Sequence, residues 1–278
     1  MKYNIYYPLI PNMGDLLNKD MLESLFGISV TRANSSNFNI LAIGSCLKFL
    51  LYSDNKITHL KQKIESHFNS HPIYVWGTGF ASYNSGDDNE IRFTNYHILS
   101  LRGNLSKVRM EKIIGSDLDI PLGDGGLLAD RWIGAAPTKK YRLGIIPHFR
   151  EKDYPLLGEI SKFYPDSTII DLGEPPIEVV KKIASCELIL SSSLHGLIIS
   201  DSFHIPNMHI SLFPFGERIR SDGFKFDDYY SSYGLKDSPI NMDNRSEWPT
   251  MSYIHDSYQI DINDVERIKD QIYNVFPQ

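Results

Sequence analysis

The residues of this chain best suited to chemistry sit in short loops, each following an apolar run of strand character. Ser191-Ser192-Ser193-Leu194-His195-Gly196 leads from the strand pattern Leu188 to Leu190 into a helical one. A helix start offers unpaired backbone N–H groups at the positive end of its dipole, which suits phosphate or carboxylate. Ser193 is placed to cap, His195 to add a donor and Gly196 to allow close approach. Pro147-His148-Phe149-Arg150 follows the pattern Arg142 to Ile146 and adds a second histidine and an arginine, the bidentate partner of anionic groups. Pairing of Arg150 with Glu151 or Asp153 is the competing expectation. Arg102, after Tyr96 to Leu101, and Arg218, Arg220 and Lys225 further on could complete an array for a small polyanion. In Asn12-Met13-Gly14-Asp15, Asp15 either caps the next helix or turns a carboxylate toward the ligand, where it would deprotonate a hydroxyl. Asp124, in Gly123-Asp124-Gly125-Gly126, is a second candidate base, with a structural turn as its alternative.

Other chemistries lack their signatures. Gly77-Thr78-Gly79 lacks the third glycine of a dinucleotide fingerprint, and no GxxxxGK[ST], HExxH or G-x-S-x-G occurs. His195, His204 and His209 have no convergent carboxylate in their spacing, so no metal site is predicted. Cys46 and Cys186 lie far apart and read as buried apolar residues rather than a disulfide or a thiolate site.

To bring these loops together, the chain needs parallel strands, because ligands bind at the carboxyl edge of open parallel sheets. Alternating apolar runs and helical patterns predict an α/β protein. Strands are predicted at Tyr3 to Tyr7, Ile40 to Ile43, Ile73 to Trp76, Tyr96 to Leu101, Ile120 to Leu122, Arg142 to Ile146, Ser167 to Asp171, Leu188 to Leu190 and Met208 to Ile210. Helices are predicted at Asp15 to Phe26, Ile57 to Phe68, Ser106 to Ile114, Tyr154 to Phe163, Ile177 to Ser185, Leu194 to Phe203 and Asn263 to Val275. Ser211 to Trp248 has no clear period and reads as long loops around one short helix at Phe226 to Tyr233. The Gly134 to Lys140 segment, with its small residues and Pro137, is the expected junction between an N-terminal lobe, 1–137, and a C-terminal lobe, 138–278, with the working cleft between them.

Composition sets the outer bounds. The 278 residues are 42% hydrophobic and 22% charged, which supports folded cores and excludes disordered and fibrous classes. The net charge is −6, with ten acidic and four basic residues between Asp227 and Gln278, whereas a nucleic-acid binder would run basic. The apolar stretch Ile40 to Tyr52 is broken by Lys48 and falls short of the ~20 residues of a membrane span, and MKYNIYYPLIPNMGD has no secretory pattern. A cytoplasmic protein, or one at the inner face of the membrane, is expected.

Taken as an ordered set, PNMGDLLN, VWGTGF, SLRG, LGDGGLLAD, GIIPHFREKD, SSSLHGLIISDSFHIP and KFDDYY resemble the polysaccharide pyruvyl transferase family, from Asn12 to about Tyr230. The resemblance implies two Rossmann-like lobes in a glycosyltransferase B-like architecture with an interlobe cleft. It also implies transfer of pyruvate from phosphoenolpyruvate to a sugar of a surface or capsular polysaccharide precursor, as a ketal, with release of phosphate. The N-terminal lobe would take the acceptor and the C-terminal lobe the donor, with no cofactor and no metal. Asp15 and His195 are the implied catalytic residues. Asn12, Gly14, Arg102, His148, Arg150, Ser192, Ser193, Leu194, Gly196 and Lys225 are the implied substrate contacts. The family's Arg-Leu-His-Gly stretch is matched by Leu194, His195 and Gly196, but Ser193 stands where the arginine would be. A nucleotide-sugar glycosyltransferase of the same fold and a non-catalytic glycan-binding relative are the alternatives. The sequence leaves open the carrier of the acceptor, lipid-linked or otherwise, peripheral membrane association and oligomeric state.

Overall fold

The structure is a computed structural model describing residues 1–8, 12–67, 71–83, 90–213 and 223–277. In the first lobe β1 (Lys2–Tyr6), α1 (Met13–Phe26), β2 (Ser29–Ala33), β3 (Ile40–Leu41), α2 (Lys56–His67), β4 (Ile73–Val75), β5 (Tyr96–Ile98), α3 (Asn104–Ile114) and α4 (Ala129–Ile133) follow one another. The second lobe runs β6 (Tyr141–Ile146), α5 (Leu156–Phe163), β7 (Ser167–Ile169), α6 (Pro176–Ala184), β8 (Cys186–Ser191), α7 (Leu194–Ser202), β9 (Asn207–Ser211), α8 (Phe224–Ser231), β10 (Ile240–Asn241), α9 (Met251–Asp256) and α10 (Ile262–Asn274). Each lobe holds one five-stranded sheet, ordered β2-β1-β3-β4-β5 and β10-β9-β8-β6-β7, with parallel pairing throughout. The protein is thus α/β with two Rossmann-like lobes, and 134–140 lies between the two sheets.

The strands in the middle of each sheet are near-continuous apolar runs because helices cover both faces. In β6, Leu143, Ile145 and Ile146 are fully buried, and in β8 Ile189 and Leu190 are too. The edge strand β2 escapes the sequence pattern because Ser29, Thr31 and Arg32 are exposed and only Val30 and Ala33 turn inward. Ile120 to Leu122 contributes a single bridge, Leu122 to Leu101, rather than a strand. Between Ser211 and Trp248 the described residues hold β10 as well as the expected helix. Cys46 and Cys186 are buried and unpaired.

One apolar core runs through both lobes. It joins Ile5, Leu17 and Trp76 of the first to Ile146, Ile189 and Ile198 of the second, and includes Val265, Ile268 and Ile272 of α10. Two further clusters lie on the outer sides, around Leu47, Val75 and Met110 and around Leu143, Leu190 and Trp248. The C-terminal segment crosses back to the first lobe. Trp76 Nε1 donates to Ile272 O at 2.7 Å, Tyr3 OH donates to Pro277 O at 2.8 Å, and Phe276 stacks on Phe26 at 3.7 Å. Among the described residues no helix is long and apolar enough to cross a membrane.

Candidate active site

In both sheets the strand order reverses beside the first strand of the lobe, between β1 and β3 and between β6 and β8. The chain leaves those neighbours in opposite directions, opening a crevice at their carboxyl ends where ligands of open α/β sheets bind. The loops that follow β1 and β6, and the one that follows β8, carry Asn12 to Asp15, Pro147 to Glu151 and Ser192 to Gly196 respectively. The two crevices meet. Met13 N–H, at the start of α1, donates to Leu172 O of the second lobe at 2.8 Å, and the His195 imidazole lies against Gly14. A Cβ on Gly14 would sit 2.0 Å from His195 Nδ1, so glycine is required for the ring to approach. Gly196 is similarly constrained, since a Cβ there would come within 2.3 Å of Ser191 Oγ.

Lys225, in the first turn of α8, is the electrostatic centre. Burial pushes its ammonium down to about 8; the cations Arg102 and Arg150 add to this, while Glu151 and Asp15 oppose it. The side chain is half-buried, and its ammonium lies over the Phe226 ring at 5.1 Å and makes no hydrogen bond or ion pair with any described residue. His195 is pushed down to about 3 by burial, then by Lys225, Arg102 and His148, so the imidazole is neutral at pH 7. Its Nε2 is buried without a hydrogen-bond partner. His148 is pushed down to about 4, by burial first and then by Lys225 and Arg150. Arg150 N–H donates to His148 Nδ1 at 3.4 Å, which leaves the ring proton on Nε2. Asp15 moves the other way, up to about 6, because burial outweighs the hydrogen bond from Asn12 and the charge of Lys225. Asn12 Nδ2 donates to Asp15 Oδ2 at 2.8 Å.

At the start of α7, the backbone N–H groups of Leu194, His195 and Gly196 have no partner among the described residues. Ser193 occupies the N-cap position, but, against expectation, its side chain makes no capping bond. Ser191 supports the turn instead: its Oγ accepts from Ser193 N–H at 3.0 Å and lies 2.9 Å from Ser193 O. Ser192 Oγ accepts from His148 N–H at 2.9 Å and donates to Glu151 in a short hydrogen bond. Glu151 therefore joins the β6 and β8 loops, and burial raises its carboxyl against the bonds from Ser192 and His148.

Asn12, Gly14, Asp15, His148, Ser192, Leu194, His195, Gly196 and Lys225 thus come together around the meeting crevices. Arg150 is exposed beside them and pairs with neither Glu151 nor Asp153; its guanidinium lies over the Phe149 ring at 5.3 Å. Arg102 is fully buried and held. Nε donates to Asp228 Oδ2 at 3.0 Å, Nη1 to Ser45 Oγ at 2.9 Å and Nη2 to Phe80 O at 2.6 Å, so its main observed contacts tie the loop after β5 to α8. Asp124 is fully buried and accepts from Gly126 N–H at 2.9 Å, the turn-making alternative, while its Oδ2 has no partner. Arg218 and Arg220 lie outside the described residues. His204 pairs with Glu266 and His209 with Asp237, away from His195. Glu151 and Asp228 were not among the expected site residues: Glu151 was the competing partner for Arg150, and Asp228 lay within the KFDDYY stretch without a role of its own. Nothing in a single sequence ties Asp228 to Arg102, 126 residues away.

A family model described as polysaccharide pyruvyl transferase matches residues 2–212. Uncharacterized protein L143 of Acanthamoeba polyphaga mimivirus is 27% identical over 238 residues, spanning 84% of this chain and 75% of that one. Two solved structures share the chain's extent at low similarity. One is the E. coli heptosyltransferase WaaC with ADP, 11% identical with a TM-score of 0.37, covering 98% of this chain and 100% of that one. The other is the spinosyn rhamnosyltransferase SpnG, 10% identical with a TM-score of 0.34, covering 99% and 91%.

Proposed function

Because the chain belongs to the polysaccharide pyruvyl transferase family, we propose that it takes pyruvate from phosphoenolpyruvate and places it as a ketal on two hydroxyls of a polysaccharide-precursor sugar, releasing phosphate. The observation that carries this reading is the ammonium of Lys225, which has no hydrogen bond or ion pair among the described residues and lies near His195 at the open N-terminus of α7. A small donor bearing both a carboxylate and a phosphate matches that arrangement. Lys225 supplies a cation near the place where Ser193 replaces the family's arginine, and Arg150 adds a second from the rim. The N–H groups of Leu194, His195 and Gly196, with the helix dipole, supply uncharged donors.

The chemistry follows from the donor. Protonation of its methylene carbon makes the central carbon electrophilic, one sugar hydroxyl adds and gives its proton to a base, phosphate leaves, and the second hydroxyl closes the ketal as its proton goes to the departing phosphate. Asp15, ionised above about pH 6 and steadied by Asn12, is suited to take the hydroxyl proton. His195 and His148 are neutral N–H donors at pH 7, and a bound polyanion would raise the basicity of both. That rise would allow His195 to serve as the acid for the methylene carbon. Arg102 acts at one remove, by fixing α8 and therefore Lys225.

Incubation with phosphoenolpyruvate and a panel of saccharide acceptors tests the reading. Inorganic phosphate and acid-labile pyruvate bound to sugar should appear in equal amounts. Transfer of a glycosyl group from a nucleotide sugar in place of this would mark the protein as a glycosyltransferase. Sugar binding without either turnover would mark it as a binding relative.

A further inference from the structure

The crossover helix α2 is mounted with its polar side toward the protein. His59 stacks on Tyr52 with ring centroids 4.4 Å apart, Gln62 accepts from Ser53 N–H at 2.8 Å, and Glu65 pairs with the buried Arg92 at 3.2 Å. Ser66 Oγ lies 3.3 Å from Tyr52 OH, on the same inward side. The apolar stripe, which in a globular helix should face the core, points to solvent. Ile57 is 83% exposed, Leu60 63% and Ile64 58%. These positions, three and four residues apart, form one continuous ridge. At 100° per residue Lys56 and Lys63 fall along one side of the ridge and Lys61, which lies 3.8 Å from Glu65, along the other, and all three lysines are exposed.

We infer that α2 docks this protein on an anionic lipid surface, with Ile57, Leu60 and Ile64 inserted below the headgroups and Lys56, Lys61 and Lys63 in contact with lipid phosphates. An apolar ridge flanked by lysines on both sides is the pattern of helices that lie in a membrane interface, where short insertion and attraction to anionic headgroups add. The lysines select this occupant over a second copy of the chain. A two-fold contact through the ridge sets the same patch against itself, and in either helix direction the flanking lysines would face lysines. The inference does not depend on the proposed reaction. It would place the first lobe, which carries Asp15, at a surface where lipid-linked sugars are found.

Co-sedimentation of the whole protein with vesicles tests it, using phosphatidylcholine alone and phosphatidylcholine with increasing phosphatidylglycerol. Binding is expected to rise with the phosphatidylglycerol fraction and to fall with added salt. The variant Ile57→Ser/Leu60→Ser/Ile64→Ser should lose at least tenfold in apparent affinity, as should Lys56→Glu/Lys61→Glu/Lys63→Glu, with both melting close to wild type because the altered side chains are exposed. No binding of wild type at any composition would overturn the inference. So would undiminished binding of the serine variant in the folded state. Self-association by sedimentation velocity that the serine variant abolishes, without vesicle binding, would assign the ridge to a second copy instead.

Discussion

Lys225 sets the charge balance into which an anionic donor would fit, and its behaviour with pH gives the sharpest prediction at the residue scale. Burial pushes its ammonium down to about 8, so raising the pH through 8 removes the proton and the attraction for an anion. Asp15 sits at about 6, so lowering the pH through 6 protonates the proposed base. The kcat/KM for phosphoenolpyruvate should therefore be bell-shaped, falling below about 6 and above about 8. Lys225→Arg, which keeps its charge, should move the alkaline limb upward. Lys225→Met should lower donor affinity roughly 10- to 150-fold, the loss of one charge-assisted contact of about 1.5 to 3 kcal/mol. For His195→Ala, affinity and saturated rate separate two roles: a loss of affinity alone marks a binding group, and a further fall in kcat marks the acid. Unchanged values for both would leave His195 as a packing residue. Asp15→Asn at full activity would remove Asp15 from the mechanism.

At the scale of elements, the site depends on how α1, α7 and α8 are held. Arg102 and Asp228 form a fully buried ion pair, and Asp228 also accepts from Ser106 N–H and Oγ at 2.7 Å each, so α8 is fastened to the start of α3. Breaking such a pair leaves a buried charge unanswered. Arg102→Met should cost about 3 to 5 kcal/mol in denaturant unfolding, and adding Asp228→Leu should restore part of it. Equal losses in the single and double variants would argue against that coupling. Gly14→Ala should keep the secondary structure by circular dichroism while reducing kcat/KM more than tenfold, since the added methyl collides with the His195 ring. The strands and helices that carry the site were legible because buried parallel strands and amphipathic helices leave strong periods in the sequence, as in Tyr141–Ile146 and Pro176–Ala184. α4 and α9, at five and six residues, are too short to show a period, and β2 hides behind polar residues of an edge strand. In α2 the period is clear but the orientation is reversed, which periodicity cannot reveal.

At the scale of the whole molecule, the two sheets share a core, and the C-terminal helix closes it against Gly123 and Trp76 of the first lobe. Calorimetry should accordingly show one cooperative transition. Two resolved transitions would mean that the lobes unfold independently and that the shared core contributes little. The contacts joining Tyr3 to Pro277 and Trp76 to Ile272 are between residues 274 and 196 positions apart and leave no local pattern, so the particular residues that fuse the lobes were not legible in the sequence. For the same reason the sequence named most of the residues at the meeting crevices without distinguishing Lys225, which makes no hydrogen bond or ion pair among the described residues, from the fully engaged Arg102. The account rests on a small bivalent anion occupying the space beside Lys225. Titration calorimetry of wild type and Lys225→Met with phosphoenolpyruvate, with UDP-glucose as the comparison, tests that most directly. The account predicts phosphoenolpyruvate binding that weakens at least tenfold in the variant and is not displaced by UDP-glucose. Binding of UDP-glucose with none of phosphoenolpyruvate, or phosphoenolpyruvate binding that Lys225→Met leaves unchanged, would contradict it.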